Sequence, residues 1–342
     1  MINAAIVGLG RWGKNIVDAV QGKSKCLRFV RGMVRHPDAV RDFAARHQFE
    51  LSADFADVLA DTRVHAVVLA TPHTLHTQQI IAAAGAGKAV FCEKPLALTR
   101  ADAERAVAAC QRAGVLLGVG HDKRFWASMQ ELKRVAASGE LGEILHVEGN
   151  SSNEVSRKFF TAWRESAAES PGGGMTGTGI HIVDAFVNLI GPVRRVQAQF
   201  ITRKPPPDAL DTVSVLFEFE NRVSGVLCNV RSTPFFWRVH VFGSRGSAEA
   251  LGENNLVLRM TGAMPRSLNL EPVGALRFEL EAFADALAGR SPYPIPTTQI
   301  LDTVAAFEAI VKSMQTNGPV PVGNEQGSLA SNQRNATFIN PL

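Results

Sequence analysis

Short apolar runs alternate with amphipathic stretches through the first 120 residues. The runs at 3–8 (NAAIVG), 26–34 (CLRFVRGMV), 64–72 (VHAVVLATP), 88–95 (KAVFCEKP) and 115–120 (VLLGVG) read as strands. Between them, 74–85 and 99–114 space their apolar residues as helices do. The second of these begins with Thr99 and Asp102 at capping-box spacing and ends at Gly114, a C-terminal cap. Strands alternating with helices of this length predict a parallel sheet with crossover helices.

After about residue 121 the rhythm changes. A helix at 128–139 leads to a strand at 143–152, then to a polar loop and a glycine-rich run. Segments 193–202, 211–220, 222–231 and 235–244 follow with period-two patterning and no helix between them, which predicts an antiparallel sheet. In 211–220, Val213, Val215, Phe217 and Phe219 fall on one face, and Ser214, Glu218 and Glu220 on the other. Helices at 275–289 and 299–314 close the pattern, and only the last dozen or so residues look poorly anchored.

Two runs carry the spacing G-x-G-x-x-G: Gly8, Gly10 and Gly13, and Gly172, Gly174 and Gly177. The spacing alone is weak, and context separates the two. Gly8 follows a buried strand, and a helix continues from Lys14 to Val20, so unpaired helix N–H groups face a pyrophosphate there. Gly172 follows the polar loop RESAAESP. The first run therefore takes the dinucleotide, and Arg11 and Trp12 within it count among the cofactor-binding residues. An acidic residue at the end of the second strand would hold the ribose hydroxyls of NAD. Here Arg35 and His36 stand at that end, and no carboxylate comes before Asp38. A guanidinium there favours the 2′-phosphate of NADP, with NAD as the alternative.

Bulk composition narrows the partners. Lys plus Arg number 36 against 32 Asp plus Glu, spread along the chain, which favours a small anionic ligand over a nucleic acid. The four cysteines form no C-x-x-C pair, which argues against a disulfide framework or structural zinc, and no metal site is expected. The first apolar run has no basic leader and no run is long enough to span a membrane, so a soluble cytoplasmic protein is expected.

The stretch FCEKPLALT sits at the end of the fourth strand, where parallel sheets present ligand contacts. Lys94, between Glu93 and Pro95, lies in a stiff turn that is a candidate for a cis peptide. A lysine desolvated beside a cofactor can act as acid or base, although Glu-Lys-Pro alone is more often a surface turn. Taken together, Gly8–Gly13, ATPHTLHTQQIIAAAGAGKAVFCEKPLALT and FADALAGRSPYPIP resemble the Gfo/Idh/MocA family of NAD(P)-dependent oxidoreductases, over nearly the whole chain. The resemblance implies an α/β fold: an N-terminal Rossmann dinucleotide-binding domain at 1–120 and a C-terminal α+β domain at 121–330. The second domain would carry a large, mainly antiparallel open sheet that supports a homodimer or homotetramer, with a tail at 331–342.

The same resemblance implies site residues. Lys94 would lie near nicotinamide and substrate, with Thr71, Pro72, His76 and Glu93 lining the nicotinamide pocket. Trp163 and Arg164 would lie over the cofactor, and Arg124 near the substrate. In the second glycine run, His181 matches the family's substrate-facing histidine, but Gly177 stands where an aspartate is usual. Asp184 is then a candidate for partial replacement. The implied activity is hydride transfer between NADP(H) and a carbinol or carbonyl of a sugar, polyol or cyclic diol, with Lys94 and His181 moving the proton. Two other readings stay open: a cofactor-binding regulator that no longer catalyses, and a glycosidase using tightly held NAD.

Overall fold

The computed structural model describes residues 1–153, 163 and 165–323. Strands β1 to β6 (Ile2–Val7, Leu27–Met33, Glu50–Ser52, Ala66–Leu69, Ala89–Glu93 and Leu117–Gly120) form one parallel sheet in the order β3-β2-β1-β4-β5-β6. That order reverses between β1 and β4, which opens a crevice at the strands' C-terminal ends. The apolar runs are strands because both faces are covered: every residue of β4 and β5 is buried. The helix Arg100–Ala113 starts and stops at its caps. The Asp102 N–H donates to Thr99 Oγ1 at 3.2 Å, and Gly114 adopts φ +64°. The three-residue β3 escaped the sequence pattern because it is too short to show a period.

The second sheet comprises β7 (Ile144–Ser152), β8 (Val193–Ile201), β9 (Thr212–Phe219), β10 (Ser224–Val230), β11 (Phe236–Gly243), β12 (Gly246–Leu251), β13 (Asn255–Met260), β14 (Arg266–Asn269) and β15 (Val320–Pro321). Its order is β14-β13-β12-β11-β7-β10-β9-β8-β15, antiparallel except where β7 runs parallel to β10. Val213, Val215, Phe217 and Phe219 are all buried, as their alternation requires. The helices Ile180–Leu189 and Thr297–Thr316 cover that inner face. Gly149 lets the first come close, since a Cβ there would stand 2.3 Å from Ile182 Cγ2. This close seat fixes the height of His181, the second residue of the helix, above the sheet.

Candidate active site

The three glycines of the first turn differ in what surrounds them. Gly8 has φ +94°, and a Cβ on it would meet the Ala70 carbonyl oxygen at 2.5 Å. A Cβ on Gly13 would lie 1.9 Å from the Gly8 carbonyl oxygen, so this helix packs onto the turn only with glycine there. Gly10 has open space at that position and precedes the helix Arg11–Val20, with no side chain capping its N–H groups. Tight turn, open approach and close packing, in that order, suit a pyrophosphate at a helix N-terminus.

The second glycine run has other partners. The Gly174 N–H donates to both oxygens of Asp211 at 3.1 Å, and Asp211 is ion-paired to the buried Arg231 at 2.8 Å. A Cβ on Gly174 would stand 2.6 Å from Asn229 Oδ1. A protein carboxylate occupies the position a phosphate would need. The chain then makes one π-helical turn, Met175–Gly179, before the helix Ile180–Leu189.

Between the two runs lies a cavity lined by Arg11, Trp12, Thr71, His76, Glu93, Lys94, Trp163, Gly177 and His181 among others. Lys94 comes from the end of β5, where the Lys94–Pro95 peptide is cis, and its Nζ donates to the Gly177 carbonyl at 2.5 Å. His76 is fully buried, with its ring nitrogens 2.9 Å from the Pro95 carbonyl and 3.0 Å from that of Thr71. It ties together the two loops that present Thr71 and Lys94. Burial drives its imidazole pKa down. Trp163 and Ser170 reach the same rim: Trp163 packs edge-on against His73, and His73 Nδ1 lies 2.7 Å from the Glu169 carbonyl.

Burial shifts the titratable groups in and near the cavity. Burial pushes the Glu93 carboxyl up to about 7, against the pull of the indole N–H of Trp12 and the adjacent Lys94 ammonium. Glu279, on the helix Ala275–Leu287, is wholly buried and raised well above the usual carboxylate range for the same reason. His181 is held well below the usual imidazole value, first by burial and then by Lys94, Lys123 and His121. It is a neutral imidazole at neutral pH, able to accept a proton.

Several expected residues lie outside this cavity. Arg124 and Asp184 do not reach the cavity lining: they form a buried bidentate pair at 2.7 and 2.8 Å, and Arg124 also donates to Asn188 and Gln299. Two opposite charges this deep need each other, so Asp184 is not the carboxylate beside His181. Pro72 precedes the short turn His73–Leu75 rather than lining the cavity, and Arg35 and His36 are exposed just beyond the end of β2. Arg164 lies outside the described residues. The structure adds Asp122 and Lys123 from the turn after β6, and Phe235, Phe236 and Trp237 from the start of β11. No motif spacing marked these, because β6 and β11 meet His181 only through the fold.

Residues 2–121 match the model of an oxidoreductase family with an NAD-binding Rossmann fold, and residues 129–249 match the GFO/IDH/MocA C-terminal domain. The chain belongs to the Gfo/Idh/MocA oxidoreductase family. Within it, the chain is 30% identical over 261 residues to the uncharacterized oxidoreductase YrbE of Bacillus subtilis, covering 73% of each chain. It is 29% identical to inositol 2-dehydrogenase 2 of Saccharopolyspora erythraea, over 94% of this chain and 95% of that one. The fold is also that of the WlbA dehydrogenase of Bordetella pertussis, solved with NADH and UDP-GlcNAcA. There the TM-score is 0.84 at 24% identity, with 95% of this chain and 98% of that one covered.

Proposed function

We propose that this protein is an NADP(H)-dependent dehydrogenase acting on a carbinol or carbonyl carbon of a small polar substrate, a sugar, polyol or cyclic diol. The observation that carries the reading is convergence. Lys94 at the end of a parallel strand and His181 on a helix above the other sheet line one cavity, beside a glycine turn built for a dinucleotide. Gly8, Gly10, Gly13, Arg11 and Trp12 would hold the cofactor, with Thr71, His76, Glu93 and Trp163 around the nicotinamide. The bound nicotinamide supplies hydride uptake and release. The chain's own groups handle the proton. Neutral His181 accepts it from the substrate hydroxyl, and the Lys94 ammonium stabilises the developing alkoxide. Relatives named as inositol dehydrogenases support a polyol-type substrate.

Preference for NADP over NAD rests on Arg35, exposed at the expected place for a 2′-phosphate partner. The test is a screen of polyols, aldoses and cyclic diols with either cofactor, read as absorbance of reduced nicotinamide, in the parent and in Arg35→Asp. Turnover with NADP, shifted toward NAD in the variant, is expected. Absence of turnover across the screen overturns the dehydrogenase reading, and an unchanged cofactor ratio overturns the role of Arg35.

A further inference from the structure

Gly177 leaves His181 without the carboxylate that the family usually places one turn earlier, and Asp184 is taken by Arg124. Yet His181 Nδ1 is buried and has no hydrogen-bond partner among the described residues. A carboxylate does face it: Asp122 Oδ1 stands 3.9 Å away, brought by the turn after β6 to the cavity wall. We propose that Asp122 is the positioning residue of His181, accepting a hydrogen bond from Nδ1–H so that Nε2 is left as the proton acceptor toward the cavity. The assignment deepens the dehydrogenase reading and rests on it for what the imidazole does, but the arrangement itself can be tested without turnover.

The surroundings say why such a partner is needed. Lys94, Lys123 and His121 all face the imidazole, and each makes a protonated His181 harder to form. His121 packs edge-on against it at 6.0 Å between ring centres, with its own Nε2 3.5 Å from Asp184. A base that must carry a proton in the transition state gains from a negative charge on its far side, as does the fixed tautomer. Among the described residues, the carboxylate within 4 Å of His181 is that of Asp122. Lys123 Nζ lies 3.3 Å from its other oxygen, Oδ2, and sits over the Trp126 ring, so the carboxylate is held from behind while Oδ1 points at the imidazole. The present separation exceeds a hydrogen bond. In the proposed arrangement, rotation of ring and carboxylate closes it, as catalytic hydrogen bonds tighten when a ligand fills the site.

The test uses the full chain labelled with 15N-histidine, in which two-bond proton–nitrogen spectra report the tautomer of each neutral imidazole. His181 is assigned by the signal lost in His181→Asn. With NADP bound, the parent is expected to show His181 protonated on Nδ1 and bare on Nε2. Asp122→Ala is expected to shift His181 to the Nε2–H form or to a mixture, and Asp122→Glu to restore the parent pattern. A parent already in the Nε2–H form overturns the proposal even if the variants fail to fold. So does an Asp122→Ala spectrum identical to the parent's. Either failure leaves the substrate screen unaffected, so the two readings fall separately.

Discussion

Burial pushes the Glu93 carboxyl up to about 7 although a lysine follows it in the chain. At the residue scale this has a consequence for stability. Unfolded, the group titrates near pH 4.3, so between there and about 7 the folded protein holds a proton that the unfolded chain has released. Stability therefore falls as pH rises through that window, by at most about 1.4 kcal/mol per pH unit from this group. His121, lowered to about 4 by burial, acts in the opposite sense: stability rises with pH between about 4 and 6.5. Comparing Glu93→Gln with the parent isolates the first effect. The variant is expected to gain stability relative to the parent as pH increases from 4.5 to 7.5, measured by urea unfolding at each pH. A difference that does not change with pH would show that Glu93 is ionised in the folded protein.

At the scale of the element, two glycines of one turn serve different ends. A Cβ on Gly13 would sit 1.9 Å from a backbone oxygen, whereas one on Gly10 meets nothing within 4 Å. Gly13→Ala must push the helix Arg11–Val20 off β1, whose buried residues form the core beneath it. A loss of about 1–3 kcal/mol, as for other overpacked sites, is expected together with loss of cofactor binding. Gly10→Ala is expected to keep the parent's unfolding midpoint and still bind NADP at least tenfold more weakly, because its methyl occupies the space where the pyrophosphate approaches the backbone. Calorimetric titration and thermal unfolding of both variants check this. Equal stability losses in the two would mean that Gly10 is also a packing glycine.

For the whole molecule, the nine-stranded sheet has one face under helices and one on which, among the described residues, no helix lies. On that second face Leu216 is 58% exposed and Ile201 47%, with Val226 paired beside Leu216 across the strands. We propose that this face joins two copies of the chain, as the family resemblance implies. Leu216→Glu is expected to convert the assembly to monomers in light scattering at micromolar concentration, since a carboxylate cannot be buried there unpaired. A parent that is already monomeric would refute the interface.

Alternating apolar runs and capped helices made the parallel sheet legible from residue order, and the strand-glycine-helix context marked the first turn as the candidate for a dinucleotide, because each is a local signal tied to backbone geometry; Lys94 was singled out only through resemblance. The period-two run 211–220 likewise declared the second sheet and its buried face. The strands β3, β12, β13 and β14 were not marked in the sequence; β3 and β14, of three and four residues, are too short to show a period. His181 was legible only through resemblance, and its partner was not legible at all. Asp122 and His181 are 59 residues apart, and Asp184, closer in sequence, is the wrong carboxylate. Which acid faces the imidazole depends on how Arg124 pairs in the interior and on how near Gly149 lets the helix approach its sheet. Residue order determined the scaffold through short-range physics, and the choice among buried charges was left to tertiary packing, where desolvation forces each one to find its partner.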